Sequence, residues 1–246
     1  MKRNRHGKPV EPPITDFTEL AKKVAEKAPN TVVHSDFQGG HSVDFRSNIV
    51  IRTQQIAIGL PMDELMFSQF LTNFVHLNIM PWDSLITTQS TYLPDARNSI
   101  HNTFLEKTGG SHLFMLDSDV LPQPDIIHRL LAHNLPLVGG WYKKKEKYPV
   151  KNLDGSIKTI QRPVVYDYAE EGFTEKLQPG KGLEKVGGAG AGLWMMRRDV
   201  AEALGKSPYG NDVGEDLILC RKVTEVGFDM WIDWDLPAAH CGVFYV

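Results

Sequence analysis

The sequence predicts a doubly wound α/β fold, and three observations carry that expectation. Short apolar runs of strand length alternate with amphipathic helical stretches, glycine or proline marks most junctions, and the alternation persists from Gln55 almost to the C-terminus. A chain of 246 residues, 41% apolar and 23% charged, has enough apolar material for one large core. The domain reading is an N-terminal appendage over 1–54, a helix followed by an irregular or β segment, and an α/β domain over 55–246.

Taken in order, Thr15 or Asp16 caps a helix running through Glu19, Leu20 and Val24 to about Lys27, which Pro29-Asn30 ends. Thr31 to Arg52 is rich in β-formers and broken by Gly39-Gly40. Ile56 to Leu60 forms a buried strand closed by Pro61, and a helix follows from about Asp63. Its core face is Met66, Phe70, Phe74 and Leu77, flanked by Leu71 and Val75. Ser84 to Thr88 is a second strand, and Ala96 to Lys107 a helix that Gly109-Gly110 ends by tolerating positive φ. His112 to Leu116 is a third strand running straight into Asp117-Ser118-Asp119. Pro124 opens the next helix, carrying Ile126, Ile127, Leu130 and Leu131, and Leu137 to Tyr142 is the next strand. The polar stretch from Lys143 to Leu183 reads as a β-rich insertion with a hairpin turn at Asp154-Gly155. Leu193 to Met196 restores a strand, Arg198 to Leu204 and Glu215 to Val226 are helices, and Phe228 to Ile232 is the last strand.

Composition narrows the function. A net charge of −3 supplies no global basic field, which weighs against long nucleic acid as the main ligand. Cys220 and Cys241 form no CxxC pair, the N-terminal residues lack the apolar stretch of a secretory signal, and no run reaches the length of a membrane span. A reducing, cytoplasmic setting is expected.

Asp117-Ser118-Asp119 is the first chemical candidate, because two carboxylates one residue apart at a strand end reach one divalent cation. Mg²⁺ or Mn²⁺ fills its other positions with water and phosphate oxygens. Asp-x-Asp arises by chance about once in a chain of this composition, so context decides. Asp117 and Asp119 lie where ligands bind open α/β sheets, beyond the carboxyl end of a strand. Asp233-Trp234-Asp235 follows the last strand and reads as a solvated turn. Glu215 and Asp216, in the first turn of a helix, suit the helix dipole and equally a general base. Arg97, at a helix start, presents a guanidinium that grips a diphosphate in bidentate fashion or serves as a surface helix residue. His240 is positioned to fold back to a metal through its neutral imidazole. The glycine run Gly187 to Gly192 enters a strand rather than opening a helix, and reads as close backbone approach to a substrate. Lys143, Lys144, Lys145 and Lys147 form the densest basic run, read as a solvated loop or an attractor for an anionic acceptor. Trp141, Tyr142 and Trp194 pack in the core or stack on a sugar or base.

In order and spacing these stretches resemble inverting GT-A glycosyltransferases similar to glycosyltransferase family 2, including compact bacterial and phage forms. The matching stretches are Ile56 to Pro61, Asp95 to Asn98, Leu113 to Asp119 with Pro124-Asp125, Val138 to Gly140, Val186 to Arg198, and Gly214 to Leu217 with Cys220-Arg221. The resemblance implies a Rossmann-like GT-A fold with a mixed central sheet and helices on both faces. It implies donor contacts from Pro61, Arg97, Asp117 and Ser118, and metal ligation by Asp117, Asp119 and His240. Asp216 matches the family's base, with Glu215 supporting it. The implied donor is a nucleotide-diphosphate sugar, a UDP-sugar first, with Mn²⁺ or Mg²⁺ as cofactor. The acceptor stays open among a polysaccharide, a lipid-linked sugar, a protein and a modified DNA base. Two other readings stand beside it: a nucleotidyltransferase, which commonly opens on a glycine-rich phosphate loop unlike Leu60 to Asp63, and a silent sugar-binding protein of the same fold.

Overall fold

The computed structural model describes residues 54–242 apart from 63–65, 91, 152–153, 171 and 211–213, together with three short strands before them. The chain divides into two compact units, 1–54 and 55–246. In the first unit, β1 (Val32–Ser35), β2 (His41–Asp44) and β3 (Val50–Arg52) form an antiparallel sheet in that order. The helix expected near Thr15 to Lys27 lies outside the described residues.

The second unit is built on one large mixed sheet. Its strands are β4 (Ile56–Met62), β5 (Ser84–Gln89), β6 (His112–Leu116), β7 (Val120–Leu121), β8 (Leu137–Tyr142), β13 (Leu183–Val186), β15 (Leu193–Arg197) and β16 (Met230–His240). The order is β13-β16-β8-β15-β6-β4-β5, with β7 paired to the far end of β16. β5, β4 and β6 run parallel, as do β8 and β16, whereas β15 lies antiparallel between β6 and β8. Between β8 and β13 the chain forms a hairpin of β9 (Tyr148–Lys151) and β10 (Ile157–Ile160), then β11 (Val165–Tyr168) and β12 (Phe173–Glu175). β11 also pairs with β14 (Gly188–Ala189), so the polar insertion is the β-rich element its composition predicts.

Strand alternation divides the core between two faces. Leu113 and Met115 of β6, Trp194 and Met196 of β15 and Ile232 of β16 point to one face. There they meet α2 (Leu93–Lys107), α4 (Arg198–Leu204) and α5 (Glu215–Glu225) through Ile100, Phe104, Val200, Leu219 and Val223. Phe114 and Leu116, Leu193 and Met195, and Leu236 point to the other. That face is covered by α1 (Ser68–Val75) and α3 (Ile126–His133) through Phe70, Ile126, Ile127 and Leu130.

Several local expectations change. Described helix α1 starts at Ser68, and Leu71 and Val75 are exposed because its short apolar face meets the sheet through Phe70 alone among fully buried side chains. Helix α2 does not end on a positive-φ glycine: Thr108 is already extended, and the orphan carbonyls are met by Arg198. Its guanidinium donates to Phe104 O at 3.1 Å, Thr108 O at 2.8 Å and Gly110 O at 2.7 Å.

The last strand does not stop at Ile232. It follows β8 through Ile232, shifts register, and resumes beside it at Pro237. Asp233-Trp234-Asp235 lies inside this irregular stretch rather than in a solvated turn. Asp233 is 5% exposed, accepts from His133 Nε2 at 2.9 Å and closes on Asp235 N–H at 2.9 Å. Among the described residues no helix is long and apolar enough to cross a membrane.

Candidate functional site

The carboxyl end of β6 opens into a tight turn: Asp117 N–H donates to Gly192 O at 3.0 Å and Val120 N–H to Asp117 O at 3.1 Å. Within it the two aspartates face different surroundings. Asp117 receives Arg97 Nη2 on both carboxylate oxygens, at 2.9 and 2.8 Å. Arg97 stands in the first turns of α2, is 2% exposed, and donates Nη1 to Glu215 Oε1 at 2.6 Å. Burial works against its charge, but Asp117, Tyr209 and Glu215 outweigh it and raise the guanidinium above its ordinary pKa. Arg97 is therefore a fixed internal cation tying the β6 turn to the start of α5. Its terminal nitrogens are taken by the protein's own carboxylates.

Asp119 takes other partners. Its Oδ2 accepts Lys145 Nζ at 2.6 Å and lies 3.4 Å from His240 Nε2. The continuation of β16 brings His240 there, since His240 pairs with Val120 and the next residue, Cys241, donates its N–H to Asp119 O at 2.7 Å. His240 Nδ1 lies 2.8 Å from Lys143 O, and a carbonyl oxygen only accepts, so Nδ1 carries the proton. Nε2 then points at Asp119, and Tyr142 supports the ring edge-on at 4.9 Å. In the neutral ring this sets a lone pair opposite a carboxylate oxygen, an arrangement a cation between them would relieve. Burial disfavours the ionised Asp119, but hydrogen bonds from His240, whose Nε2 donates only when the ring is doubly protonated, and from Lys145 prevail and hold the carboxyl below its usual range.

Gly214, at φ 82°, turns the chain into α5, whose first two residues are Glu215 and Asp216. Asp216 Oδ1 accepts Leu217 N–H at 2.8 Å. Burial, then the negative charge of Glu215, pushes the Asp216 carboxyl above its ordinary range, against the pull of Arg97. Such a shift makes a stronger base. Pro61 is buried near the end of β4, opposite Thr88 of β5, and Ser118 is half-buried between the two aspartates.

The structure thus joins Arg97, Asp117 and Glu215 in one ion-pair network, and Asp119 with His240 in a second cluster. Among the described residues no group of three or more His, Cys, Asp or Glu side chains is placed to hold a metal. Asp117, expected as a ligand beside Asp119, accepts from Arg97, and Asp119 and His240 are the carboxylate and imidazole that could hold a cation. Donors of that kind suit Mn²⁺ completed by phosphate and water, and Mg²⁺ with its oxygen preference less well.

Within the glycine run, Gly190 and Gly192 lie close against the protein's own side chains. A Cβ on Gly192 would lie 2.6 Å from Asp117 Oδ2 and 2.7 Å from Tyr142 Oη, and Gly192 N–H donates to that hydroxyl at 3.1 Å. Trp194 is in the core and Tyr142 beneath His240, and Trp141 lines a cavity. This cavity, of about 350 Å³, is bounded by Lys143, Lys144, Lys145, Gln161 and His240 among others. Lys144 is drawn to Glu175, which Arg162 also holds at 2.8 Å. Lys145 was legible only as part of a basic run; that it reaches Asp119 depends on β8 and β16 lying side by side.

No family model matches the chain, and no curated protein matches it in sequence. Solved structures do. A197 from STIV superposes with a TM-score of 0.52 at 18% identity, over 78% of this chain and 87% of that one. GalNAc-T7, solved with UDP, GalNAc and Mn²⁺, superposes with a TM-score of 0.50 at 10% identity, over 80% of this chain but 45% of its own. The chain spans less than half the length of GalNAc-T7. The fold is GT-A: a mixed sheet between two helical layers, with the Asp117–Asp119 turn at its carboxyl edge.

Proposed function

We propose that this protein is a glycosyltransferase that moves a sugar from a nucleotide-diphosphate donor to an acceptor hydroxyl with inversion. The observation that carries the reading is the meeting of Asp119 with His240, whose tautomer is set by Lys143 O, at the carboxyl edge of a GT-A sheet. Similarity to a structure solved with UDP, GalNAc and Mn²⁺ supports a UDP-sugar as the first donor to test and Mn²⁺ ahead of Mg²⁺. The resemblance to family 2 supports the same class.

In this mechanism Asp119 and His240 would hold a divalent cation at the donor site. When bound, a divalent cation neutralises charge on the departing diphosphate. Pro61 lies beside the nucleoside, and Ser118 faces the donor between the two aspartates. Asp216 accepts the acceptor hydroxyl proton as the new bond forms, its basicity raised by burial and by Glu215. Glu215 is held by Arg97, so the same buried guanidinium fixes the spacing between the donor turn and the base. Single displacement needs the base across the anomeric carbon from the leaving group.

The test is a binding and slow-hydrolysis screen against UDP-, GDP-, CMP- and dTDP-linked sugars with Mn²⁺, Mg²⁺ or EDTA. Metal-dependent recognition of one donor, weakened in Asp119→Ala, is expected. Asp216→Asn should keep donor binding and lose transfer by about 10²-fold or more. Transfer retained in Asp216→Asn sinks the base assignment, and no donor bound under any metal condition sinks the reading.

A further inference from the structure

Resting on that reading, the geometry points to Lys145 as a donor-site residue that exchanges partners. Its ammonium holds Asp119 in the free protein and passes to the donor diphosphate when Asp119 takes up the cation. Metal and nucleotide diphosphate then enter together, each strengthening the other.

Lys145 is a placed residue rather than a stray surface lysine. The backbone around it is pinned on several sides: Lys144 N–H donates to Arg162 O at 2.8 Å, and Gln161 Nε2 donates to Lys144 O at 3.0 Å. Lys143 O takes the His240 proton at 2.8 Å. The Lys145 stem runs past Gly242, where a Cβ would sit 3.6 Å from its Cδ. The ammonium reaches Asp119 Oδ2 at 2.6 Å, the same oxygen that His240 Nε2 faces at 3.4 Å. Ammonium and imidazole therefore meet at one oxygen of Asp119, the oxygen that a cation held by Asp119 and His240 would use.

A half-exposed ion pair of this kind is weak and open to exchange. A divalent cation arriving alone would expel the ammonium into a cavity already bordered by Lys143, which is exposed, and by Lys144, whose counter-ion Glu175 is shared with Arg162. The displaced charge finds no vacant carboxylate among the cavity's lining residues. A diphosphate arriving with the cation supplies the missing anion beside the metal. Linkage then requires the nucleotide diphosphate to tighten Mn²⁺ and Mn²⁺ to tighten the nucleotide by the same factor.

The experiment is Mn²⁺ titration of the full chain, followed by the electron paramagnetic resonance signal of unbound Mn²⁺, alone and with saturating UDP or GDP. It compares wild type with Lys145→Met, Lys145→Arg, Lys143→Met and Asp119→Asn. Lys145→Met should bind Mn²⁺ alone about tenfold more tightly and lose about tenfold of the nucleotide coupling, within the usual range of coupling between sites. Lys145→Arg should preserve the coupling. Lys143→Met removes the same charge from the same cavity and should change Mn²⁺ affinity less than about twofold, because exposed charges without a partner are well screened. Asp119-dependent Mn²⁺ binding that Lys145→Met leaves unchanged, or that Lys143→Met alters equally, overturns the exchange and leaves the glycosyltransferase reading standing. Mn²⁺ binding independent of Asp119 with and without nucleotide overturns both.

Discussion

Asp117 and Asp119 are one residue apart in a single turn, and their surroundings are opposite. Asp117 is locked in two hydrogen bonds to an arginine that is 2% exposed. Asp119, itself exposed to nearly the same degree, is shared between a lysine that is 44% exposed and a histidine carried in by the last strand. The inner network holds three ionised groups in a setting where losing one leaves the others uncompensated, so it is rigid by necessity. A short acidic motif here has two parts, one bound to a buried arginine and one shared between a half-exposed lysine and a histidine.

The sharpest way to break this contrast is Arg97→Ala. It should cost about 3 kcal/mol, the low end for an opened buried ion pair because Asp117 and Glu215 keep 21% and 19% of their exposure. Chemical denaturation measures it, and Asp119→Asn in the same assay should shift stability by no more than about 1 kcal/mol. Equal losses would erase the distinction between the two sides of the turn.

Gly192→Ala probes the inner side without touching charge. Its Cβ would intrude on Asp117 and Tyr142 at 2.6 and 2.7 Å, so a loss of about 1–3 kcal/mol is expected, with a changed near-ultraviolet signal from Tyr142.

The smallest effect sharpens the comparison through pH. The Asp216 carboxyl is raised in the folded state, so the native protein binds more protons there than the unfolded chain between the two values, and stability falls as pH rises through that window. Asp216→Asn should therefore be more stable than wild type near neutrality, with the gain vanishing below the ordinary carboxylate range. Asp119 has the opposite sign: its lowered carboxyl contributes stability above its unfolded value and loses it as pH falls through the folded one. Asp119→Asn should flatten that acid limb. Urea denaturation across pH distinguishes the two, and identical pH profiles would contradict the opposed environments.

Much of the frame could be read from residue patterns. Leu113 to Leu116, Leu137 to Tyr142 and Leu193 to Met196 are apolar runs of strand length, and all three lie at the centre of the sheet. The hairpin at Asp154-Gly155 was equally legible, because its turn residues specify it locally. The last strand was cut short at Ile232 because Asp233, Asp235 and Pro237 look like a turn when judged by composition. In the fold Asp233 is buried against His133, and the register shift gives Pro237 a place without a ladder donor.

By itself the sequence determined the alternation of strands and helices, the placement of Asp117 to Asp119 at a strand end, and the acidic start of α5. These follow from periodicity and local chain chemistry, which act over a few residues. The tertiary structure alone decided which partners each aspartate takes, that Arg97 is buried between carboxylates, and that Lys145 and His240 meet at one oxygen of Asp119. Those outcomes depend on β8 and β16 lying side by side and on the depth at which each charge rests. Side-by-side packing and burial are properties of the assembled sheet, because desolvation and Coulomb attraction act through space and not along the chain.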